Sequence, residues 1–174
     1  MEQATLASGC FWCTEAIYKE VKGVESVTSG YTGGHKDNPR YDDLHNSDTG
    51  HAEAIQIDFD PKIIAYKQLL EIFYYIHDPT TLNRQGNDVG EEYRSAIFYH
   101  DDSQKDIAEE VTTSFAPTLW DNPIVTEIAK LNKFWPAEPN HQDFYENNPN
   151  QPYCRLVINP KLEKFRVKFQ SLLK

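Results

Sequence analysis

The chain has 174 residues, 39% of them hydrophobic and 13% aromatic, and this composition predicts one globular domain over residues 1–174. Its net charge of −10 argues against nucleic acid or an anionic membrane as a partner, because binding to phosphate groups requires a basic surface. No apolar run of about 18 residues could span a membrane, and the N-terminus has no basic region followed by an apolar stretch. The odd number of three cysteines is not typical of a disulfide scaffold, so we expect a cytoplasmic protein.

Short strands and helices alternate in the first hundred residues. The predicted elements are a strand over 3–7, a helix over 10–21, strands over 24–31 and 52–59, a helix over 66–77 and a strand over 94–99. Two polar segments, 32–50 and 78–92, are predicted to be loops, and loops of this length are often functional. The order β-α-β-β-α-β predicts an α+β fold, a two-layer sandwich with a ferredoxin-like core.

The remaining residues are predicted to add elements to this core. We expect a helix near 102–115, a strand near 124–129, a short helix near 139–147 and a final helix over 160–173. The final helix carries one apolar stripe, formed by Leu162, Phe165, Phe169 and Leu172.

Residues 8–16, SGCFWCTEA, place two cysteines at the start of the first helix. Cys10 lies where a strand and a Ser-Gly turn lead into the helix, and the helix dipole there favours the nucleophilic thiolate. Cys13 shares an apolar stripe with Ala16 and Ile17, so it is either a small core residue or a second reactive thiol.

Six motifs in this order resemble the peptide methionine sulfoxide reductase type A family. They are GCFW at 9–12, GYTGG at 30–34, NPRY at 38–41, DTGHAEA at 48–54, HDPTTLNRQGNDVGEEYRSAIF at 77–98 and NPNQPYC at 148–154. The resemblance implies an enzyme that reduces methionine S-sulfoxide, free or in proteins, to methionine, and so repairs oxidative damage.

The resemblance assigns the chemistry to Cys10 and Glu53. Cys10 would attack the sulfoxide sulfur, and Glu53 would protonate the oxygen. Independently, the strand alternation places Glu53 on the same face as Ile55 and Ile57, where desolvation favours the protonated carboxyl that a general acid needs.

The same resemblance implies the substrate-binding residues. The hydroxyls of Tyr41 and Tyr93 would hold the sulfoxide oxygen, and Asp88 would engage the substrate backbone. Phe11 and Trp12 would form an apolar pocket for the methyl group of the methionine.

The chain departs from the family pattern in its cysteines, because most members have glycine where Cys13 stands and many have two distal cysteines rather than Cys154 alone. The sulfenic acid formed on Cys10 condenses readily with a nearby thiol. Cys154 is expected to resolve it first, with Cys13 as a direct alternative or as the second member of a relay. An external thiol, thioredoxin, would then restore the enzyme, which is expected to work as a monomer with no cofactor.

Two other functions are compatible with parts of the sequence. A thioredoxin-like disulfide oxidoreductase also has C-x-x-C at a helix start, although there the intervening pair is small enough to let a partner dock. A structural zinc module would use Cys10, Cys13, Cys154 and His141. The other histidines have no ligand spacing and are expected to be hydrogen-bonding or surface residues: His35, His45, His51, His77 and His100.

Overall fold

A six-stranded sheet lies at the centre of the computed structural model, which describes residues 1–46 and 48–174. Its strands are β1 (Glu2–Ser8), β2 (Val24–Thr32), β3 (Ala52–Phe59), β6 (Ser95–Tyr99), β7 (Glu127–Lys130) and β8 (Trp135–Pro136), and a separate ladder pairs β4 (Arg84–Gln85) with β5 (Asp88–Val89). The order across the sheet is β7-β6-β1-β3-β2-β8. β6 and β7 are parallel, and the other neighbouring pairs are antiparallel.

The helices follow the strands in chain order. The α-helices are α1 (Phe11–Tyr18), α2 (Tyr41–Asn46), α3 (Tyr66–Ile76), α4 (Asp102–Ser114), α5 (Ala116–Leu119), α6 (Phe144–Asn147) and α7 (Asn159–Lys168). Short 3₁₀-helices cover Glu91–Tyr93, Pro139–His141 and Gln170–Leu172, and a π-helical turn covers Cys154–Ile158. None of the helices in the described parts of the chain is long and apolar enough to cross a membrane.

The main core lies between the helices and one face of the sheet. The alternation of β3 buries Ile55 and Ile57 there, together with Ile17 of α1 and Phe73 of α3. On the other face, small side chains such as Ala54 and Ala96 form a second cluster, covered by the segment 129–134. The predicted α+β architecture is confirmed.

Both predicted loops contain regular structure, which corrects the sequence analysis. The segment 32–50 includes the six-residue helix α2, and the segment 78–92 includes β4, β5 and the 3₁₀-helix Glu91–Tyr93. These elements were missed because each is too short to show apolar periodicity, and α2 buries only Leu44.

Several predicted boundaries near the C-terminus are also corrected. The strand expected near 124–129 is β7, and the helix expected near 139–147 is divided into a 3₁₀-helix and α6. The final helix begins earlier than expected, because the π-helical turn at Cys154–Ile158 continues directly into α7, which ends at Lys168. Leu162 and Phe165 of the predicted stripe are fully buried.

Candidate active site

Cys10 lies at the junction of β1 and α1, immediately before the first residue of the helix. The chain turns at Gly9, whose φ of +94° suits glycine, and a Cβ there would lie 2.7 Å from Cγ of Gln85. Gln85 is in turn fixed, because its side chain bonds both the backbone N–H and the carbonyl of Asp78. The glycine therefore lets β1 pass against the 78–92 segment and places Cys10 at the helix start.

Burial of Cys10 favours its protonated thiol, whereas the helix dipole alone favours the thiolate. Burial raises its pKa well above the ordinary value, and a hydrogen bond with Cys13 and the charge of Glu53 act in the same direction. A backbone hydrogen bond near Trp12 opposes them, but more weakly. The side chain is still partly exposed, so it remains accessible to a substrate.

Glu53 is buried, with only 1% of its surface exposed, and its carboxyl group lies at the N-terminus of α1. Oε1 accepts a hydrogen bond from the backbone N–H of Phe11 at 3.1 Å, and Oε2 lies 3.3 Å from Nε2 of His45. Desolvation raises the pKa of the carboxyl, and the two contacts oppose that shift only in part. Glu53 is thus a buried carboxyl beside Cys10 that holds its proton to a higher pH than usual.

An aromatic cluster borders the same helix start. The indole of Trp12 stacks on Phe144, with ring centroids 3.7 Å apart, and its Nε1 donates to Nδ1 of His141 at 3.2 Å. Tyr41 stacks on His141 with centroids 4.2 Å apart, whereas the Phe11 ring is buried among Tyr31, Tyr41 and His141. Phe11 and Trp12 are therefore part of an aromatic cluster that adjoins Cys10.

A buried carboxyl group of α1, that of Glu15, holds the C-terminal segment that borders this aromatic cluster. Both oxygens of Glu15 accept from the backbone N–H of Asp143, at 3.1 and 3.0 Å. Burial raises the pKa of Glu15 to about 7. Because Asp143 lies between His141 and Phe144, this contact fixes the segment that stacks on Trp12.

A hydrogen-bonded chain connects Cys13 to the 78–92 segment. The Cys13 thiol donates to the hydroxyl of Tyr153 at 3.8 Å, and that hydroxyl donates to Oδ2 of Asp88 at 2.8 Å. The hydrogen bond from Cys10 lowers the pKa of Cys13, and the positive charge of Lys161 lowers it further. Cys154 is buried next to Tyr153, and this burial raises its pKa, with the charge of Cys13 acting in the same direction.

The family described as peptide methionine sulfoxide reductase matches residues 2–173. The chain belongs to this family. The reductase of the family from Saccharolobus solfataricus is 55% identical over 174 residues, covering 100% of this chain and 98% of that protein. The one from Sulfolobus acidocaldarius is 55% identical over 169 residues, covering 97% of this chain and 96% of that protein.

Solved structures of the reductase family have the same fold. The reduced form of Mxr1 from Saccharomyces cerevisiae superposes with a TM-score of 0.83 at 35% identity, covering 88% of each chain. Mxr1 in complex with Trx2 superposes with a TM-score of 0.58 at 28% identity, covering 82% of this chain and 84% of that chain. The reductases of this family are oxidoreductases that act on sulfur. As a member of the family, this chain is an oxidoreductase of the same kind.

The structure brings most of the predicted site residues of this reductase together, but Asp88 has a partner that the sequence did not indicate. Cys10, Glu53, Trp12 and Tyr41 surround the start of α1. Tyr93 lies beside this group, because its hydroxyl is 3.4 Å from Nδ1 of His45, which in turn contacts Glu53. Asp88 instead binds Tyr153 on the side of Cys13.

Sequence reasoning missed three residues that contact the site. His45 lies in a segment predicted to be a loop, and Tyr153 was overlooked although it precedes Cys154. His141 was considered only as a zinc ligand, but its Nδ1 accepts from Trp12 instead. Among residues 1–46 and 48–174, no three His, Cys, Asp or Glu side chains are grouped to hold a metal ion, so the zinc alternative has no support there.

Proposed function

We propose that Cys10 and Glu53 together reduce the S epimer of methionine sulfoxide, free or in proteins, to methionine. The observation that carries this assignment is the position of the Glu53 carboxyl, which bonds the N–H of the residue directly after Cys10. A buried acid and a thiol at one helix terminus provide a proton donor and a nucleophile on opposite ends of the same sulfur–oxygen bond. Family membership over residues 2–173 supports the same reaction.

The proposed first step conserves protons. Cys10 attacks the sulfoxide sulfur and forms a sulfur–sulfur bond, while Glu53 protonates the oxygen, and the sulfur–oxygen bond of the substrate breaks as the oxygen leaves as water. A water molecule then attacks the Cys10 sulfur, which breaks the sulfur–sulfur bond and releases the thioether. The thiol and the sulfoxide become a sulfenic acid on Cys10 and a thioether, so sulfur is reduced in the substrate and oxidised in the enzyme. The departing oxygen takes one proton from Glu53 and the proton of the Cys10 thiol, and the attacking water returns one proton to Glu53, which ends the step protonated.

The residues around this step would bind the substrate. Tyr41 and Tyr93 keep their hydroxyl protons, because burial and the charge of Glu53 raise the pKa of both. They can therefore donate hydrogen bonds to the sulfoxide oxygen. Trp12 and Phe11 would receive the methyl group, and Asp88 would engage the substrate backbone from the edge of the site.

The contacts favour Cys13 as the first thiol to meet the sulfenic acid. Cys13 is hydrogen-bonded to Cys10, and its lowered pKa favours the thiolate that attacks the sulfenic sulfur and releases water. Cys154, which the sequence analysis placed first, has a pKa raised by burial and by the charge of Cys13, so its thiolate is disfavoured. The proposed order is therefore a Cys10–Cys13 disulfide followed by exchange to Cys13–Cys154.

The electrons are proposed to come from an external dithiol, thioredoxin, with no prosthetic group. The complex of yeast Mxr1 with Trx2 supports this partner. The three described cysteines are free thiols, which suits the reducing cytoplasm. Residues 1–174 would act as one domain and as a monomer, since the chain itself carries the nucleophile, the acid and both further thiols.

The function is tested by giving the purified chain each epimer of methionine sulfoxide separately, with dithiothreitol as reductant. We expect reduction of the S epimer and none of the R epimer. Thioredoxin with its reductase and NADPH should support the same turnover. Equal turnover of the two epimers, or turnover of neither, would contradict the proposal.

A further inference from the structure

His45 of α2 contacts the buried carboxyl of Glu53 at the oxygen that is not bonded to the start of α1. His45 Nε2 lies 3.3 Å from Glu53 Oε2, whereas Phe11 occupies Oε1. Both Nε2 and Oε2 are buried atoms, and within the described part of the chain neither makes a well-aligned hydrogen bond to any other group. The 3.3 Å contact therefore joins two buried polar atoms that have no other hydrogen-bond partner among the described residues.

We propose that His45 is a positioning residue for Glu53 that shares with it the proton destined for the sulfoxide oxygen. The proposal rests on the function assigned to Glu53 above. In this arrangement the proton lies between Oε2 and Nε2, on the carboxyl or on the imidazole. The two forms exchange by a movement of the proton along one contact, with no change in the number of protons held.

The remaining contacts of His45 fix the ring in this orientation. Nδ1 faces Oε2 of Glu92 at 3.6 Å and the hydroxyl of Tyr93 at 3.4 Å. The ring of Tyr41 covers one side of the imidazole, with centroids 4.2 Å apart. Rotation of the ring would remove Nδ1 from Glu92, so the geometry keeps Nε2 directed at Glu53.

Acidic groups from three elements surround His45 and favour its protonated form. They are Glu53 of β3, Glu92 of the 3₁₀-helix at 91–93, and Asp42 of α2, and the first of these dominates. Tyr41 and Tyr93 are neutral neighbours whose own pKa values are raised. His141 is the nearby basic group on the C-terminal segment, and burial lowers its pKa, which favours the neutral imidazole.

Sharing the proton extends the pH range in which Glu53 can act. Two groups that share one proton lose it at a higher pH than either would lose it beside a neutral neighbour. As the pH rises, the pair therefore keeps its proton longer than a lone carboxyl would. A neutral side chain at position 45 could hold Oε2 by a hydrogen bond, but it could not share the proton.

The test compares His45→Gln with the wild type in single turnover, measured as methionine formed per enzyme without reductant. At about pH 5.5 the raised pKa of Glu53 favours its protonated form in both proteins, and we expect rates within about threefold of each other. At about pH 8 the variant should be slower by about tenfold or more, as for partial loss of a general acid. His100→Gln is the matched control, because His100 bonds Thr5 in β1 and should match the wild type at both pH values.

A second measurement, an NMR titration, follows the His45–Glu53 pair in the absence of substrate. The ¹³Cε1 resonance of His45 should titrate at a higher pH in the wild type than in Glu53→Gln, because the carboxyl raises the pKa of the imidazole. An unchanged titration in Glu53→Gln would overturn the pairing. A loss of rate in His45→Gln that is equal at both pH values, or no loss, would overturn the sharing of the proton.

The two proposals fail in different ways. If Glu53→Gln retains near wild-type single turnover, the role of Glu53 as donor is wrong, whatever the resonance of His45 shows. If Glu53→Gln is inactive while His45→Gln behaves like His100→Gln, the donor assignment holds and only the role of His45 is wrong.

Discussion

The carboxyl of Glu53 accepts a hydrogen bond from the backbone N–H of Phe11, at 3.1 Å. This N–H belongs to the first residue of α1 and has no partner within the helix. One contact therefore satisfies the helix start and brings the buried acid to the residue that follows Cys10. A strand and a helix far apart in sequence meet at the point where the chemistry is proposed.

Replacing Glu53 with Gln should remove the proton donor and keep the contact with Phe11, because the side-chain amide oxygen can accept the same hydrogen bond. The single-turnover rate should fall by about 10²–10⁴-fold, the usual contribution of a general acid. Rapid-quench measurement of methionine checks this, with Glu25→Gln at an exposed position as the control. A variant as fast as Glu25→Gln would rule out this role for Glu53.

The order of the thiols can be read from which variant accumulates sulfenic acid. Cys13→Ser should form one equivalent of methionine and leave a sulfenic acid on Cys10 that a dimedone-type reagent traps. Cys154→Ser should instead form the Cys10–Cys13 disulfide, visible by mass spectrometry, with little trapped product. Its turnover with thioredoxin should be slower than that of the wild type.

The opposite pattern would restore the order expected from the sequence. If Cys154→Ser accumulates the sulfenic acid and Cys13→Ser does not, Cys154 is the first resolving thiol. Unimpaired thioredoxin-driven turnover of the double variant would contradict both orders.

Shortening Trp12 should weaken binding of the methyl group. Trp12→Leu removes the ring that stacks on Phe144 and the donor to His141. An apolar contact of this kind contributes about 1–3 kcal/mol to discrimination, so kcat/KM should fall by about tenfold or more. Steady-state assays with dithiothreitol measure this, and Trp120→Phe, on the far side of the core against Tyr74, should retain its kcat/KM. A retained kcat/KM in Trp12→Leu would show that the pocket lies elsewhere.

Glu15 should make the protein less stable as the pH rises. Its pKa is about 7 in the folded chain, against 4.5 as the ordinary value, so the folded state binds the proton more tightly than the unfolded state. This contribution to stability is complete below pH 4.5 and is lost as the pH rises through 7. Relative to the wild type, Glu15→Gln should therefore gain about 1 kcal/mol or more in unfolding free energy between pH 5 and pH 8.

Denaturant unfolding at the two pH values measures that gain. Glu25→Gln, which changes an exposed carboxyl of the same type, is the control and should show no comparable difference. A gain for Glu15→Gln that does not depend on pH would contradict the assignment.

The sequence predicts the strands and long helices because their burial follows a period. The burial of β3 alternates from Ile55 to Phe59, and the structure buries Glu53 on the same side as Ile55 and Ile57, as the alternation of the sequence predicts. Short elements have no such period. The helix α2 buries only Leu44, so neither its existence nor the position of His45 could be inferred.

The partners of the site residues depend on distant parts of the chain, and sequence spacing does not contain that information. His45 and Glu53 meet because α2 and β3 pack together, and Tyr153 meets Cys13 because the C-terminal π-helical turn returns to α1. The raised pKa of Cys10 has the same origin. The helix start favours the thiolate, but the burial that outweighs it comes from tertiary packing.

The central claim, that Cys10 is the nucleophile, is tested most directly by single turnover of methionine S-sulfoxide in the cysteine variants. Cys13→Ser and Cys154→Ser should each form one equivalent of methionine per enzyme, because the first step needs neither thiol. Cys10→Ser should form none, even with dithiothreitol present. Substantial formation of methionine by Cys10→Ser would contradict the account.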